Sequence, residues 1–125
     1  MAFLNHIGLS HKDLQKYSIG PIVFNEQLFY FKEVMPDDKI RVSFELAGIS
    51  EEGTFFSFEH NFFNNEGQNV ARCEMMGAWL NLKTRKLGSI PENIISKFTS
   101  SNKTKGFKKL TAADTRAHGR IPKNI

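Results

Sequence analysis

Apolar and polar positions alternate most clearly between Thr54 and Leu82, where two long strands are joined by the turn Asn64-Asn65-Glu66-Gly67. The first, Phe55 to Phe63, sets Phe56, Phe58, His60 and Phe62 on one face, because side chains along a strand alternate with period two. The second, Gln68 to Leu82, sets Val70, Met76, Ala78, Leu80 and Leu82 on one face and Ala71, Cys73, Met75 and Trp79 on the other. Apolar residues on both faces call for two coverings, one on each side. A helix serves for one, and a second copy of the sheet is the simplest choice for the other. Gly77 inside the second strand points to a bulge or a close backbone approach.

The flanking pattern supplies further elements. Phe3, Leu4 and Ile7 stand at helical spacing ahead of Gly8, as at the end of a helix. Ser10 to Asp13 has the form of a capping box opening a short helix through about Tyr17, with Gly20-Pro21 as its stop. Ile22 to Val34 is a continuous β-prone run, broken by the turn residues Met35 to Lys39. Ile40, Val42, Phe44 and Leu46 then alternate with Arg41, Ser43 and Glu45 in a strand with one wet face, and Gly48 to Gly53 reads as the next turn. After the basic turn Lys83 to Lys86, Pro91 begins a short helix where its missing N–H costs nothing.

Charge changes the picture at one end only. The chain carries +4 over 125 residues, but residues 1–98 sum to −2 and residues 99–125 to +6. The basicity belongs to the C-terminal stretch, whose Ser, Asn, Lys, Thr and Gly favour a tail. Residues 1–98 are therefore expected as one domain and 99–125 as a basic tail. Nucleic acid is a conceivable partner for such charge, but Phe107 is the stretch's lone aromatic and offers no stacking platform. One cysteine, Cys73, forms no intrachain disulfide, and no run of 18 apolar residues occurs, so a cytoplasmic protein without a membrane partner is expected.

The order and spacing of several short motifs resemble a known family. They are Gly8-Leu9-Ser10, Gly20-Pro21-Ile22-Val23, Tyr30 before Lys32, Asp38, Phe58-Glu59, Asn65-Glu66-Gly67, Val70-Ala71, Leu80-Asn81-Leu82 and Ile90-Pro91-Glu92. Over roughly residues 1–98 the chain resembles the hotdog-fold acyl-CoA thioesterases of the 4-hydroxybenzoyl-CoA thioesterase-like group. That resemblance implies an α+β hotdog fold: an antiparallel sheet wrapped on a long helix, paired with a second copy, binding acyl-CoA at the subunit interface. It also implies a strand and a catalytic Asp ahead of the helix. This sequence carries no counterpart of either, so the expectation is an N-terminally shortened match, either because the sequence as given starts after its true N-terminus or because the protein is a shortened homologue.

Candidate chemistry follows from both readings. Glu26, on the strand expected beside the helix and dimer seam, and His60, among phenylalanines, are the catalytic candidates. A histidine on an apolar strand face is more often a core residue with one hydrogen bond. Asn5 and His6 flank the helix end, and Glu59 and Glu74 are strand carboxylates that ordinarily face water. The resemblance places Ile22, Val23, Phe24, Thr54 and Phe55 at positions lining the thioester and acyl pocket. Lys32, Arg72, Lys83, Arg85 and Lys86 are candidates for the CoA phosphates, although Glu51-Glu52-Gly53 stands where several relatives carry basic residues. His6, His11, His60 and His118 show no metal spacing, and no phosphate loop or nucleophile elbow occurs. No cofactor is expected. The leading expectation is hydrolysis of an acyl-CoA thioester by a homodimer or homotetramer. The alternative is a non-catalytic hotdog module that binds acyl-CoA or a protein.

Overall fold

The computed structural model describes residues 10–117 and 119–125. The expected helix end over Met1–Ile7, with Gly8, Asn5 and His6, lies outside them. Ser10 caps α1 (His11–Tyr17) reciprocally: its Oγ accepts from the Asp13 N–H, while the Asp13 carboxylate accepts from the Ser10 N–H at 2.9 Å. The helix ends at Tyr17, as expected, with Ser18 following in the left-handed region at φ 53°. Gly20-Pro21 is instead the start of β1 (Ile19–Tyr30). Proline is tolerated there because β1 lies at a sheet edge.

The remaining elements are β2 (Arg41–Val42), β3 (Glu45–Ser50), β4 (Phe55–Phe63), β5 (Asn69–Asn81), β6 (Lys86–Leu87), α2 (Glu92–Thr99), β7 (Lys103–Leu110) and a single 3-10 turn (Asp114–Arg116). The sheet runs β1-β5-β4-β3-β7, with β2 also on β4 and β6 on β5. All pairs are antiparallel except β3 with β7, so the sheet is mixed. This α+β arrangement of a sheet packed by helices matches the expected fold class. The alternating strand over 40–46 is broken at Ser43, whose Oγ accepts from the Asn61 N–H at 3.0 Å. Its second half continues through Gly48 to Ser50, which shortens the expected turn. A Cβ on Gly48 would lie 2.8 Å from Leu110, so glycine there lets β7 close on β3.

Pairing puts Phe56 and Phe58 of β4 on the same face as Gly77 and Met75 of β5. α2 covers that face: Ile94 and Phe98 are wholly buried, and Phe98 stacks on Phe58 with ring centroids 5.7 Å apart and packs on Trp79 at 5.9 Å. Leu14 of α1 joins the same core. Each large side chain buried there contributes roughly 1.5–3 kcal/mol.

The second face differs from the expectation of a second apolar layer. Glu45, Glu59 and Glu74 stand opposite one another across β3, β4 and β5. Buried Asn61 ties this face together: its Oδ1 accepts from Arg72 Nε at 2.8 Å and Asn69 Nδ2 at 2.9 Å, while its Nδ2 donates to Glu59 at 2.8 Å. Like charges directly opposite destabilise a sheet, and these polar neighbours offset that. The apolar end of the face meets the chain's own C-terminal segment. Within the stretch expected as a tail, Lys103–Leu110 is a sheet strand, Leu110 is buried, and residues beyond it reach Phe55 and then Phe24. Among the described residues no helix is long and apolar enough to cross a membrane.

Candidate functional site

Both catalytic candidates from the sequence come to one face, and Cys73 stands between them. In the β1–β5 register Leu28 pairs with Cys73 and Glu26 with Met75; in the β4–β5 register His60 pairs with Cys73. Paired residues share a face, so Glu26, Cys73 and His60 form a row across three strands. With neighbouring strands about 4.8 Å apart, the outer two members are separated by roughly 10 Å.

The hydrogen bonds define what each member can do. His60 Nδ1 lies 3.1 Å from the Ser43 carbonyl oxygen, which only accepts, so Nδ1 carries the proton and donates. The neutral ring therefore keeps its lone pair on Nε2, which has no partner among the described residues. That is the tautomer a general base requires. Phe44 packs beside the imidazole with centroids 5.4 Å apart, so the ring's setting is apolar on one flank. Cys73 Sγ donates to Glu26 Oε1 at 3.4 Å. Burial, with that bond and the charges of Glu26 and Glu74, pushes the thiol up to about 11. It stays protonated at neutral pH and is no nucleophile. Its role is to hold the carboxylate of Glu26, which is itself exposed on the edge strand.

Beside the row opens an apolar groove of about 500 Å³, lined by Leu28, Tyr30, Lys32, Glu33, Val34, Ile40, Phe62, Val70 and Ala71. A bulge shapes its floor. The β4–β5 register shifts between Phe62 and Phe63, so successive residues Val70 and Ala71 both line the groove. For that reason Val70 departs from the face that simple alternation gives it. The loop from 32 to 40 forms the wall, pinned where the Asp38 carboxylate accepts from the Met35 N–H at 2.8 Å.

The other sequence candidates are dispersed. Ile22 and Phe55 both flank Ala78, on the face away from Phe56, and Phe24 leans on Phe55 with centroids 6.4 Å apart. Val23 pairs with Gly77 on the core side, and buried Thr54 offers its carbonyl to the Trp79 N–H. Among the cations, Lys32 lines the groove. Arg72 is engaged on the second face, bonded to Asn61, 3.8 Å from Glu59 and over the Phe31 ring. Lys83 and Arg85 occupy the turn at the far end of β5 and Lys86 opens β6 just after it; the nine steps of β5 from Arg72 to Asn81 span about 30 Å. One chain does not bring these five cations to a single phosphate. Glu59 and Glu74 sit on the second face, away from His60.

Sequence reasoning missed the thiol that anchors Glu26, the carbonyl that sets the His60 tautomer, and the groove. The two hydrogen bonds join residues 47 and 17 positions apart and have no local signature. The groove had a signal in the exposed apolar run from Leu28 to Met35. Among the described residues, no group of three or more His, Cys, Asp or Glu is placed to hold a metal ion.

The model of the thioesterase-like superfamily matches residues 1–98. No curated protein matches the chain. Among solved structures, a hypothetical protein from Staphylococcus aureus, in complex with CoA, aligns with TM-score 0.74 and 19% identity over 97% of this chain and 75% of its own. A gentisyl-coenzyme A thioesterase aligns with TM-score 0.65 and 18% identity over 79% of this chain and 75% of its own. A 1,4-dihydroxy-2-naphthoyl-CoA thioesterase from Synechocystis gives 0.66 and 15% over 79% of this chain and 72% of its own. At these identities the likeness is one of fold.

Proposed function

This chain belongs to the thioesterase-like superfamily, and from that premise we propose that it hydrolyses an acyl-CoA thioester to the free acid and CoA. The observation that carries the reading is the row Glu26, Cys73, His60 beside an apolar groove. The groove takes the acyl group, and Lys32 at its wall meets the polar part of the ligand. Water attacks the thioester carbonyl carbon while His60 Nε2 takes its proton. Collapse of the tetrahedral adduct breaks the C–S bond, and the imidazolium returns the proton to the departing thiolate. Glu26, held by the Cys73 thiol, orients the water. The structural relatives named above as CoA thioesterases support this choice of substrate class.

Release of free thiol from a panel of acyl-CoA esters tests the reaction. Turnover well above buffer with at least one ester is expected. Tight binding of acyl-CoA with no thiol released from any ester overturns hydrolysis, and supports the non-catalytic binding module instead.

Two copies are proposed to join through β1. A long edge strand with apolar side chains invites pairing, and β1 is such an edge, with Val23, Leu28 and Tyr30 exposed. The opposite edge, β7, carries Lys103, Lys105, Lys108 and Lys109, which discourage it. Light scattering at micromolar concentration should give twice the chain mass of 14.3 kDa, with slow amide exchange along β1. A monomeric mass would count against this assembly.

A further inference from the structure

Between β2 and β3 the ladder to β4 is interrupted, yet its register is not. Val42 stands opposite Phe62 and Glu45 opposite Glu59, which puts Ser43 opposite Asn61 and Phe44 opposite His60. The Ser43 N–H donates to the Asn61 carbonyl at 2.8 Å, as a ladder pair requires. The return bond is different. In an antiparallel pair that exchanges both bonds, the Asn61 N–H donates to the opposite carbonyl. Here it donates to Ser43 Oγ at 3.0 Å, and the Ser43 carbonyl accepts from His60 Nδ1 at 3.1 Å. The serine side chain has taken over the bond that its own main chain would make.

Glu45 fixes the hydroxyl in that role. A serine hydroxyl has one proton to give and lone pairs to receive. The proton goes to Glu45 Oε1 at 3.3 Å, which leaves a lone pair for the Asn61 N–H. Glu45 is held in turn by Asn61 Nδ2 at 3.4 Å. Serine side chains compete with backbone partners in this way, at the expense of regular structure. The consequence is visible at residues 43 and 44, where the chain leaves strand form between β2 and β3. A carbonyl kept in the ladder points at the facing backbone. Released from it, the Ser43 carbonyl meets a ring that stands on the other side of the sheet from Glu45 and Glu59.

We infer that Ser43 is a positioning residue for His60: its hydroxyl replaces its carbonyl in the ladder, and the carbonyl so released holds the proton on Nδ1 and the lone pair on Nε2. The catalytic consequence rests on the hydrolysis reading above.

Threonine and valine at position 43 have nearly the same shape and differ in the hydroxyl, so Ser43→Thr and Ser43→Val isolate it. Nitrogen-15 spectra of the neutral imidazole tell a protonated ring nitrogen from an unprotonated one, and His60→Ala assigns the signal among the four histidines. The native protein and Ser43→Thr should carry the proton on Nδ1. In Ser43→Val the Asn61 N–H reclaims the carbonyl, so the proton should move largely to Nε2 while the melting temperature stays near native. Its kcat for an acyl-CoA ester should fall at least about tenfold with KM unchanged, because the reacting nitrogen then lacks its lone pair. Ser43→Thr should keep most of the activity. Ser43→Ala gives the same readings if the valine variant does not fold.

A native ring protonated on Nε2, or a folded Ser43→Val protein that keeps the native tautomer, would overturn the inference. So would a shifted tautomer with kcat within about threefold of native. The spectra need no turnover, which separates this inference from the hydrolase reading. Should the native chain hydrolyse no ester while the tautomer still shifts in Ser43→Val, hydrolysis falls and the control of the ring by Ser43 stands.

Discussion

A valine in place of Gly77 should leave little or no folded protein. A Cβ at this position would lie 2.2 Å from the Ile22 carbonyl oxygen and 2.9 Å from two ring atoms of Phe56. Neither neighbour can give way. Ile22 belongs to the β1 backbone, held by the ladder to β5, and Phe56 is wholly buried, stacked with Phe58 at 4.9 Å and edge-on to Trp79 at 5.6 Å. Overpacking a core typically costs 1–3 kcal/mol when side chains alone must move. Here the backbone of β1 must move too, so at least about 4 kcal/mol is expected. That is a large share of the roughly 5–15 kcal/mol that holds a domain together. Loss of soluble expression, or a melting temperature lowered by well over 10 °C, is the result to look for. A Gly77→Val protein within about 1 kcal/mol of the native one in urea unfolding would show that β1 and β5 do not approach as described.

Gly77 also shows what kind of structure the sequence makes legible. A glycine within an apolar alternating run has few reasons to be there, and close approach was one of them. Ser10 with Asp13, Asn64 to Gly67, and the period-two run from Phe55 to Phe63 were readable for the same reason: each depends on neighbours a few residues away. The strand β7 was not. Lys-Thr-Lys-Gly-Phe-Lys-Lys-Leu looks like a solvated tail, because an edge strand pairing with β3 on one side needs few inward anchors, and these are partly buried Phe107 and buried Leu110. Its partner is also more than fifty positions away.

The site was legible in the same uneven way. Glu26 and His60 could be singled out by residue type and position, but their shared face depends on two register shifts. One lies between Val23 and Asn25 and the other between Phe62 and Phe63. Alternation counted through the first would put Ile22, Phe24 and Glu26 together. The bulge instead sends Glu26 to the side of Cys73, while Ile22 keeps company with Phe55. A single extra residue reverses every assignment beyond it. The five candidate cations failed to converge for a related reason: residue type finds cations, but only strand length separates Arg72 from Lys86.

Removing the imidazole should stop the proposed reaction while sparing the fold. His60→Ala is expected to lower kcat for the best acyl-CoA ester by about 10²–10⁴, the range that general acid–base groups supply. Affinity for the CoA moiety should be kept, because the ring acts on the water and not on the nucleotide. Glu26→Gln keeps the shape and an acceptor oxygen for the Cys73 thiol but removes the charge that orients the water, so a loss in kcat is expected there also. If both residues act on one water, the double variant should be little worse than the poorer single variant, since groups that work as a unit are not additive. The competing account makes His60 a strut: its Nδ1 bond to the Ser43 carbonyl bridges the break between β2 and β3. A strut predicts a lower melting temperature with kcat per folded molecule preserved. A base predicts the reverse, and the two measurements on His60→Ala divide them. A folded His60→Ala protein whose kcat stays within about threefold of native would remove the imidazole from the chemistry and leave it as the peg across that break.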